Sequence, residues 1–209
     1  MDMPSITYCV GITEQDRKKA VELIDEAFAR KLGFAIPGGE RRRRVLESGL
    51  RLDSVVGAFA DGCLVGVVGL RSRGGAAFDG ITGGLLWKEL GFGAVRAAVL
   101  LQLLDSHVED GTIRIDLIAV DDHMRGRGVG SGLIDAVFQL GCSIGASGVE
   151  LDVVDTNPDA RRLYLRHGFV DRETRTLPFP ARWMGFRSST AMYRELGCPE
   201  PDQTTEQAE

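Results

Sequence analysis

The chain has 209 residues, of which 44% are hydrophobic and 26% charged, and its formal net charge at pH 7 is −5. A chain of this length and composition is long enough for one folded domain with a sizeable core. The acidic balance argues against non-specific binding to nucleic acid, so we expect no nucleic-acid partner. The same balance is compatible with a cationic or amine ligand.

The first fifty residues are predicted to form a strand followed by two helices. The strand covers residues 5–10. Apolar residues recur with helical spacing over residues 13–32, and Gly33 is expected to end that helix. Residues 41–50 are predicted to form the second helix, which begins with four consecutive arginines. A run of like charges is usually a solvated face, and we expect the same of residues 41–44.

A hairpin and a helical insertion are predicted next. The apolar runs over residues 54–60 and 63–71 are joined by an Asp-Gly pair, which is among the strongest local signals for a β-hairpin. Residues 72–84 are rich in glycine and are predicted to be a loop. Residues 85–107 are predicted to be helical, with an interruption at two glycines. The second half of this segment is apolar on nearly all faces, so it must be covered on more than one side.

A glycine-rich turn between a strand and a helix is the most informative feature of the sequence. Residues 113–120 predict the strand, and residues 133–144 predict the helix. Unpaired backbone N–H groups and the helix dipole favour an anion at such a helix N-terminus. Glycines let the backbone approach a phosphate closely, and arginines add positive charge. The candidate ligand-binding residues of this turn are Arg125, Gly126, Arg127, Gly128, Val129, Gly130 and Ser131.

Two familiar phosphate-binding motifs do not fit this turn. It lacks the Gly-Lys-Ser/Thr ending of a Walker loop, which argues against a nucleoside triphosphate with magnesium. Its glycine spacing is G-x-G-x-G and not the G-x-G-x-x-G of a dinucleotide-binding fold. The turn by itself therefore predicts only a ligand that carries a pyrophosphate.

A second motif follows at a fixed distance. Residues 149–154 predict another strand, after which Thr156 or Asn157 can cap a helix and Gly168 can end it. Together the two motifs resemble those of the GNAT superfamily of acyl-CoA-dependent N-acetyltransferases. The R/Q-x-x-G-x-G/A motif is matched by Arg125, Gly128 and Gly130, and the N-x-x-A-x-x-x-Y helix with its Gly-Phe ending by Asn157, Ala160, Tyr164, Gly168 and Phe169. The resemblance covers about residues 112–170.

The resemblance implies the fold class and the donor. We expect an α/β protein with one mixed, mostly antiparallel sheet, a splayed parallel pair of strands and helices on both faces. We expect a single domain over residues 1–198, with a helical insertion at about residues 81–107 and a disordered tail at 199–209. Acetyl-CoA would be the donor substrate. Its pantetheine arm would bind along Ile118, Ala119 and Val120, its pyrophosphate at residues 125–131, and the second helix would contribute Asn157, Ala160 and Tyr164.

The resemblance also implies a reaction, in which an amine attacks the thioester directly in a ternary complex. A backbone N–H near Val120 would stabilise the oxyanion, and Tyr164 would protonate the leaving thiolate. The general base is left open between Asp116, Glu150 and Asp152 on the two core strands and a relay through water. His123 and His167 are expected to be surface or capping residues.

Two functions of different classes remain open at this point. The first is an N-acetyltransferase acting on a primary amine of a small molecule or a protein. The second is a non-catalytic domain of the same fold that binds acyl-CoA as a sensor. The insertion either packs over the acceptor pocket or lies in the interface of a homodimer.

The cysteines and the N-terminus suggest a location. Neither a signal peptide nor an apolar run long enough to span a membrane is present in the sequence, so we expect a cytoplasmic protein without a membrane partner. The spacing of cysteines and histidines does not suit zinc, and we expect no metal. The four cysteines, Cys9, Cys63, Cys142 and Cys198, are predicted to be reduced and mostly buried.

Overall fold

The computed structural model describes residues 5–104, 109–176 and 185–198, and for residues 29–32 and 100–104 it describes only the backbone. The strands in these ranges are β1 (Ile6–Val10), β2 (Val55–Ala60), β3 (Cys63–Ser72), β4 (Gly75–Ala76), β5 (Thr112–Val120), β6 (Gly148–Val154), β7 (Val170–Thr176) and β8 (Ser188–Glu195). The α-helices are α1 (Arg17–Ala35), α2 (Gly39–Gly49), α3 (Gly83–Leu90), α4 (Gly93–Leu104), α5 (Val129–Ser143) and α6 (Pro158–Arg166). The predicted tail, residues 199–209, lies outside the described residues.

The strands form one mixed sheet in the order β1-β2-β3-β5-β6-β8-β7, and the short β4 pairs with β3. Only β5 and β6 run parallel among the described pairs, and the other neighbours are antiparallel. The predicted fold class is therefore confirmed, including the single parallel pair within a mostly antiparallel sheet.

Each face of the sheet carries its own core. On one face, α5 and α6 pack against alternate residues of the central strands, and fully buried members of this α5-side cluster include Leu133, Val137, Val149 and Phe169. On the other face, α1 and α2 pack against the α1-side cluster, which includes Val55, Val67, Leu117 and Ala119. Because neighbouring residues of a strand point to opposite faces, β5 contributes to both cores.

The Asp-Gly hairpin forms as predicted. Asp61 and Gly62 join β2 to β3 with φ angles of 49° and 79°, so both central residues are left-handed as a tight type I′ turn requires. The predicted loop over residues 72–84 is only partly correct, because it contains β4 and the start of α3. Thr82 caps α3 by accepting a hydrogen bond from the N–H of Leu85 at 3.2 Å.

The predicted end of the first helix is wrong. Gly33 lies inside α1, which continues to Ala35. Ala35 and the following Ile36 are almost fully buried in a third core cluster with Leu86, Ala94 and Phe186. We call this the insertion cluster, since α3 and α4 supply part of it. Burial of these side chains outweighs the tendency of a glycine to end a helix.

The expected solvated arginine face is also wrong in part. Arg42 is only 8% exposed and donates from its Nε to the Asp25 carboxylate of α1. Arg43 reaches the same carboxylate at 3.0 Å, and Arg44 reaches Glu89 of α3 at 2.8 Å. Burial alone would raise the pKa of Asp25, but the hydrogen bonds from Arg42 and Arg43 outweigh it and lower that pKa. These arginines therefore join α2 to α1 and α3.

The expectation for the cysteines does not hold. Cys142 and Cys198 form a disulfide, with their Cα atoms 5.2 Å apart, while Cys9 and Cys63 are free and exposed. The pairing follows from the fold, because the end of β8 returns beside the end of α5, where the N–H of Leu196 donates to the Ser147 carbonyl at 2.9 Å. The two cysteines are 56 positions apart in the sequence, so the sequence alone does not reveal that they are close.

The insertion has a buried side and an exposed side. Ala94 and Ala97 of α4 are buried in the insertion cluster. Trp87, Phe92 and Val95 are exposed, and the rings of Trp87 and Phe92 meet edge to face with centroids 5.6 Å apart. Within the described ranges, no helix is both long and apolar enough to cross a membrane.

Candidate functional site

A cleft opens between β5 and β6. The two parallel strands pair from Thr112 and Gly148 as far as Ile115 and Leu151. Beyond that point β5 continues along β3 until Val120 lies opposite Gly66, whereas β6 continues along β8 until Val154 lies opposite Ser189. The strands therefore part at their C-terminal ends and leave unpaired backbone along the inner side of β5.

The peptide groups of Ile118 and Val120 face this opening. The N–H of Asp121 donates to the Val65 carbonyl of β3 at 2.9 Å. Because peptide groups along a strand alternate in direction, Ala119 also faces β3, and Ile118 and Val120 face the other way. Two of the three strand residues expected to bind a ligand arm thus present N–H and C=O groups to the cleft.

The glycine-rich turn lies at the mouth of the cleft. Gly126 and Gly128 have φ angles of 73° and 83°, a left-handed conformation that residues with a Cβ rarely adopt. α5 begins at Val129, and its first intrahelical bond runs from the N–H of Gly132 to the Gly128 carbonyl at 3.0 Å. The N–H groups of Val129, Gly130 and Ser131 are therefore available to an anion.

Charged side chains surround the turn. Arg125 pairs with Asp122 at 2.7 Å, and Arg127 is exposed and has no ion pair with any described residue. Asp121 pairs with Lys19 of α1 at 3.2 Å and also accepts the N–H of His123. The hydrogen bond from His123, followed by that from Lys19, lowers the pKa of the Asp121 carboxyl. The turn therefore has one free cationic side chain, that of Arg127, among its described residues.

α6 packs against the start of α5. Asn157 caps it, since its Oδ1 accepts a hydrogen bond from the N–H of Ala160 at 3.2 Å, and Pro158 occupies the first turn. The contact involves the second half of α6, because a Cβ built on Gly130 of α5 would be 3.5 Å from the Leu163 side chain. The amide N–H₂ of Asn157 is not needed for the cap and is available to a ligand.

Tyr164 points from α6 into the sheet. It is 9% exposed and packs edge to face on Phe169, with ring centroids 5.9 Å apart. Burial raises the pKa of its hydroxyl to about 12, so the hydroxyl is protonated at neutral pH. Its hydroxyl has no hydrogen bond to any residue that the structure describes, which leaves the proton available for a reacting group.

Five charged side chains lie on the face of the sheet opposite Tyr164. They surround the point where β5 and β6 part, which we call the root of the cleft. We call Arg71, Arg114, Asp116, Glu150 and Asp152 the root cluster. Arg71 contacts Asp116 at 3.1 Å. Arg114 contacts Asp116 at 3.7 Å and Glu150 at 3.6 Å, and it also pairs with Asp152. The three candidate bases of the sequence are thus brought together around one arginine.

Glu150 differs from the other two carboxylates. Its Oε1 is buried without a hydrogen-bond partner. Burial raises the pKa of this carboxyl, and the charge of Arg114 offsets that effect only in part. Glu150 also lies opposite Arg114, where β5 and β6 are still paired, and therefore below the cleft.

The two histidines agree with their expected roles. His123 is exposed in the short turn of residues 122–124. His167 is the C-cap of α6, and its Nδ1 lies 3.3 Å from an Asp135 carboxylate oxygen. Within the described residues, no group of three or more His, Cys, Asp or Glu side chains is placed to hold a metal ion.

Arg114 is not among the site residues that the sequence predicts. An arginine between Ile113 and Ile115 in an otherwise apolar run was the available signal, because such a residue must find carboxylate partners if it is buried.

Comparison with known families gives a match over most of the chain. Residues 22–169 match the family described as the acetyltransferase (GNAT) family. A comparison with curated proteins gives no match.

Solved structures share the fold. An N-acetyltransferase from Staphylococcus aureus Mu50 is 14% identical, with a TM-score of 0.63, covering 90% of this chain and 100% of that one. A GCN5-related N-acetyltransferase from Kribbella flavida is 15% identical, with a TM-score of 0.60 and coverage of 91% and 98%. The ribosomal-protein-S18-alanine N-acetyltransferase from Escherichia coli is 13% identical, with a TM-score of 0.52 and coverage of 97% and 100%. At such low identity, these likenesses establish the fold alone.

Proposed function

The chain belongs to the acetyltransferase (GNAT) family, and from this premise we propose that it transfers an acetyl group from acetyl-CoA to a primary amine. The observation that carries the proposal is the cleft between β5 and β6. A free helix N-terminus lies at its mouth and inward-facing strand peptides line it. Tyr164 is buried in the core cluster under α5 and α6, and its hydroxyl has no hydrogen bond to a described residue.

The donor would be held by backbone groups for most of its length. Its pyrophosphate would sit on the N–H groups of Val129, Gly130 and Ser131, with Arg127 adding positive charge. The amide-rich pantetheine arm would pair with the peptides of Ile118 and Val120 in place of the missing strand contact. The side-chain amide of Asn157 would bind the arm from α6.

The transfer would proceed by direct attack. The amine nitrogen forms a bond to the thioester carbon, the carbon–sulfur bond breaks, and the thiolate leaves with its electron pair. The N–H of Val120 would stabilise the oxyanion. Tyr164 would protonate the thiolate and recover a proton that the amine releases. A thiolate formed in the same apolar surroundings is itself desolvated, which reduces the difference between its pKa and that of the buried tyrosine.

Asp116 would act on the acceptor side. The structure holds it between Arg71 and Arg114, so this carboxylate already has two cationic partners. We therefore assign the proton of the acceptor amine to a relay through water, with Asp116 accepting a hydrogen bond from that water. The acceptor itself is an amine of a small molecule or of a protein.

The competing function is a sensor that binds acyl-CoA without turnover. A buried tyrosine whose hydroxyl has no partner among the described residues favours catalysis, because a binding domain needs no proton donor there. The deciding experiment measures thiol release from acetyl-CoA with a panel of polyamines, amino acids, aminoglycosides and peptide N-termini. Release that depends on one amine class supports the transferase. Calorimetric binding of CoA without release across the panel supports the sensor.

Replacing Tyr164 by Phe tests the proposed acid. We expect turnover to fall by roughly one to two orders of magnitude, because proton donation to the thiolate is lost. The dissociation constant of CoA should stay within about threefold, since the ring and its packing on Phe169 remain. Tyr193→Phe is the matched control, because that half-exposed hydroxyl donates to the Ser147 carbonyl away from the cleft. Wild-type turnover in Tyr164→Phe would remove the residue from the mechanism.

A further inference from the structure

Arg114 occupies an unusual place in the sheet. It is only 6% exposed, and its neighbours Ile113 and Ile115 both face the α5-side cluster, so its own side chain lies on the opposite face. There its guanidinium contacts carboxylates from both parallel strands, Asp116 of β5 and Asp152 of β6.

These two carboxylates mark the point where the strands part. The last pair in the parallel register is Ile115 with Leu151, so Asp116 and Asp152 are the first residues beyond it on each strand. A guanidinium that contacts both is a link across the root of the cleft.

A β-bulge directs Asp116 to this link. Leu70 of β3 lies opposite Ile115, and Gly69 lies opposite Leu117, which leaves Asp116 as the extra residue. Asp116 contacts Arg71 and Arg114, while the next residue, Leu117, is buried in the α1-side cluster. Both residues therefore lie on the α1 face, and the strand bends here.

Burial of an arginine with carboxylates is a poor source of stability, because desolvation of the charges offsets their attraction. Its planar fork, however, can hold two acceptors at fixed positions, which a lysine ammonium cannot do in the same way. The root cluster is therefore better suited to fix a geometry than to stabilise the fold.

We infer that Arg114 is a positioning residue that acts through Asp116 and Asp152 to fix the angle at which β5 leaves β6. The inference rests on the proposed function, since that angle sets where the N–H of Val120 meets the thioester. The pyrophosphate site at α5 is formed by other residues. Loss of the link should therefore affect turnover far more than donor binding.

Three variants test the role. Arg114→Met removes the link, and we expect kcat to fall about 100-fold, as for a misplacement of about 1 Å, with the Kd of CoA within about threefold. Arg114→Lys keeps the charge but not the fork, so it should regain much of the lost thermal stability without regaining kcat. Arg42→Met removes an equally buried, ion-paired arginine that joins α2 to α1, and it should keep the wild-type kcat and Kd of CoA.

A second readout does not depend on activity. Amide hydrogen exchange of peptides covering residues 112–120 should be faster in Arg114→Met than in wild type by about tenfold or more, and unchanged in Arg42→Met. Exchange at wild-type rates in Arg114→Met overturns the inference, as does full recovery of kcat in Arg114→Lys. A wild type that releases no thiol overturns the proposed function instead, and the exchange comparison still decides the role of Arg114.

Discussion

Glu150 is a largely buried carboxylate for which the charge of Arg114 does not fully offset the cost of burial. Its folded-state pKa is raised, first by burial, so the carboxyl binds a proton more tightly in the folded than in the unfolded state. Proton binding by Glu150 therefore contributes its full stabilisation below the unfolded pKa, and this stabilisation is lost as the pH rises through the folded pKa. At neutral pH the ionised carboxylate is therefore destabilising.

Replacing Glu150 by Gln should stabilise the protein at pH 7, since a neutral amide of the same shape avoids the buried charge. The difference from wild type should shrink as the pH falls below the usual range of a glutamic acid. Urea unfolding at several pH values measures it, and Glu195→Gln at the exposed end of β8 shows the effect of the amide alone. A variant less stable than wild type at pH 7 would show that Arg114 outweighs burial.

At the residue scale, the sequence predicted best those features that depend on local backbone. The two left-handed glycines, Gly126 and Gly128, and the cap of Asn157 follow from short motifs whose conformation is set within a few residues. The partners of Asp116 could not be predicted, because they depend on a bulge in the pairing with β3, about forty-five positions away in the sequence.

The glycine-rich turn leads directly into α5, and the left-handed conformation of Gly128 makes this connection. Gly128 has φ 83° and ψ −2°, and an added Cβ would meet nothing within 4 Å. Gly145, just beyond the other end of α5, has φ 70° and the same open surroundings. Gly128 lies at the proposed pyrophosphate site and Gly145 does not. Comparing substitutions at the two positions therefore separates an effect on CoA binding from the cost of a strained backbone.

Gly128→Ala should raise the Kd of CoA by about tenfold, because a left-handed alanine costs about 1–2 kcal/mol and the turn relaxes away from the phosphates. Gly145→Ala carries a similar backbone cost and should lower stability without changing that Kd. Calorimetric titration with CoA, alongside thermal unfolding, measures both effects. Equal Kd values in the two variants would separate the turn from the pyrophosphate.

Helix ends show the limit of element prediction. Propensity alone ends α1 at Gly33, yet the helix continues because Ala35 and Ile36 are buried against α3 and α4. The arginines of α2 likewise have partners on α1 and α3 that their own sequence does not reveal. In both cases the deciding contacts come from elements distant in the chain, so the local pattern is insufficient.

At the scale of the whole molecule, the disulfide closes the segment of the chain that carries α6 and the second side of the cleft, β6. Cys142 and Cys198 are separated by 56 positions, which include β6, α6, β7 and β8. A cross-link over a loop of this length restricts the unfolded chain and should stabilise the fold by about 4 kcal/mol in the chain-entropy treatment.

Reduction should therefore lower the free energy of unfolding by about this amount. Denatured, unreduced protein should show two reactive thiols, those of Cys9 and Cys63, and four after reduction. Cys142→Ser should unfold identically with and without dithiothreitol, because the bond is already absent. The double variant Cys9→Ser/Cys63→Ser should keep the full response, since neither residue is in the bond. Four reactive thiols before reduction would contradict the disulfide, because Cys142 and Cys198 would then be free. In that case the reductant would leave the free energy of unfolding unchanged.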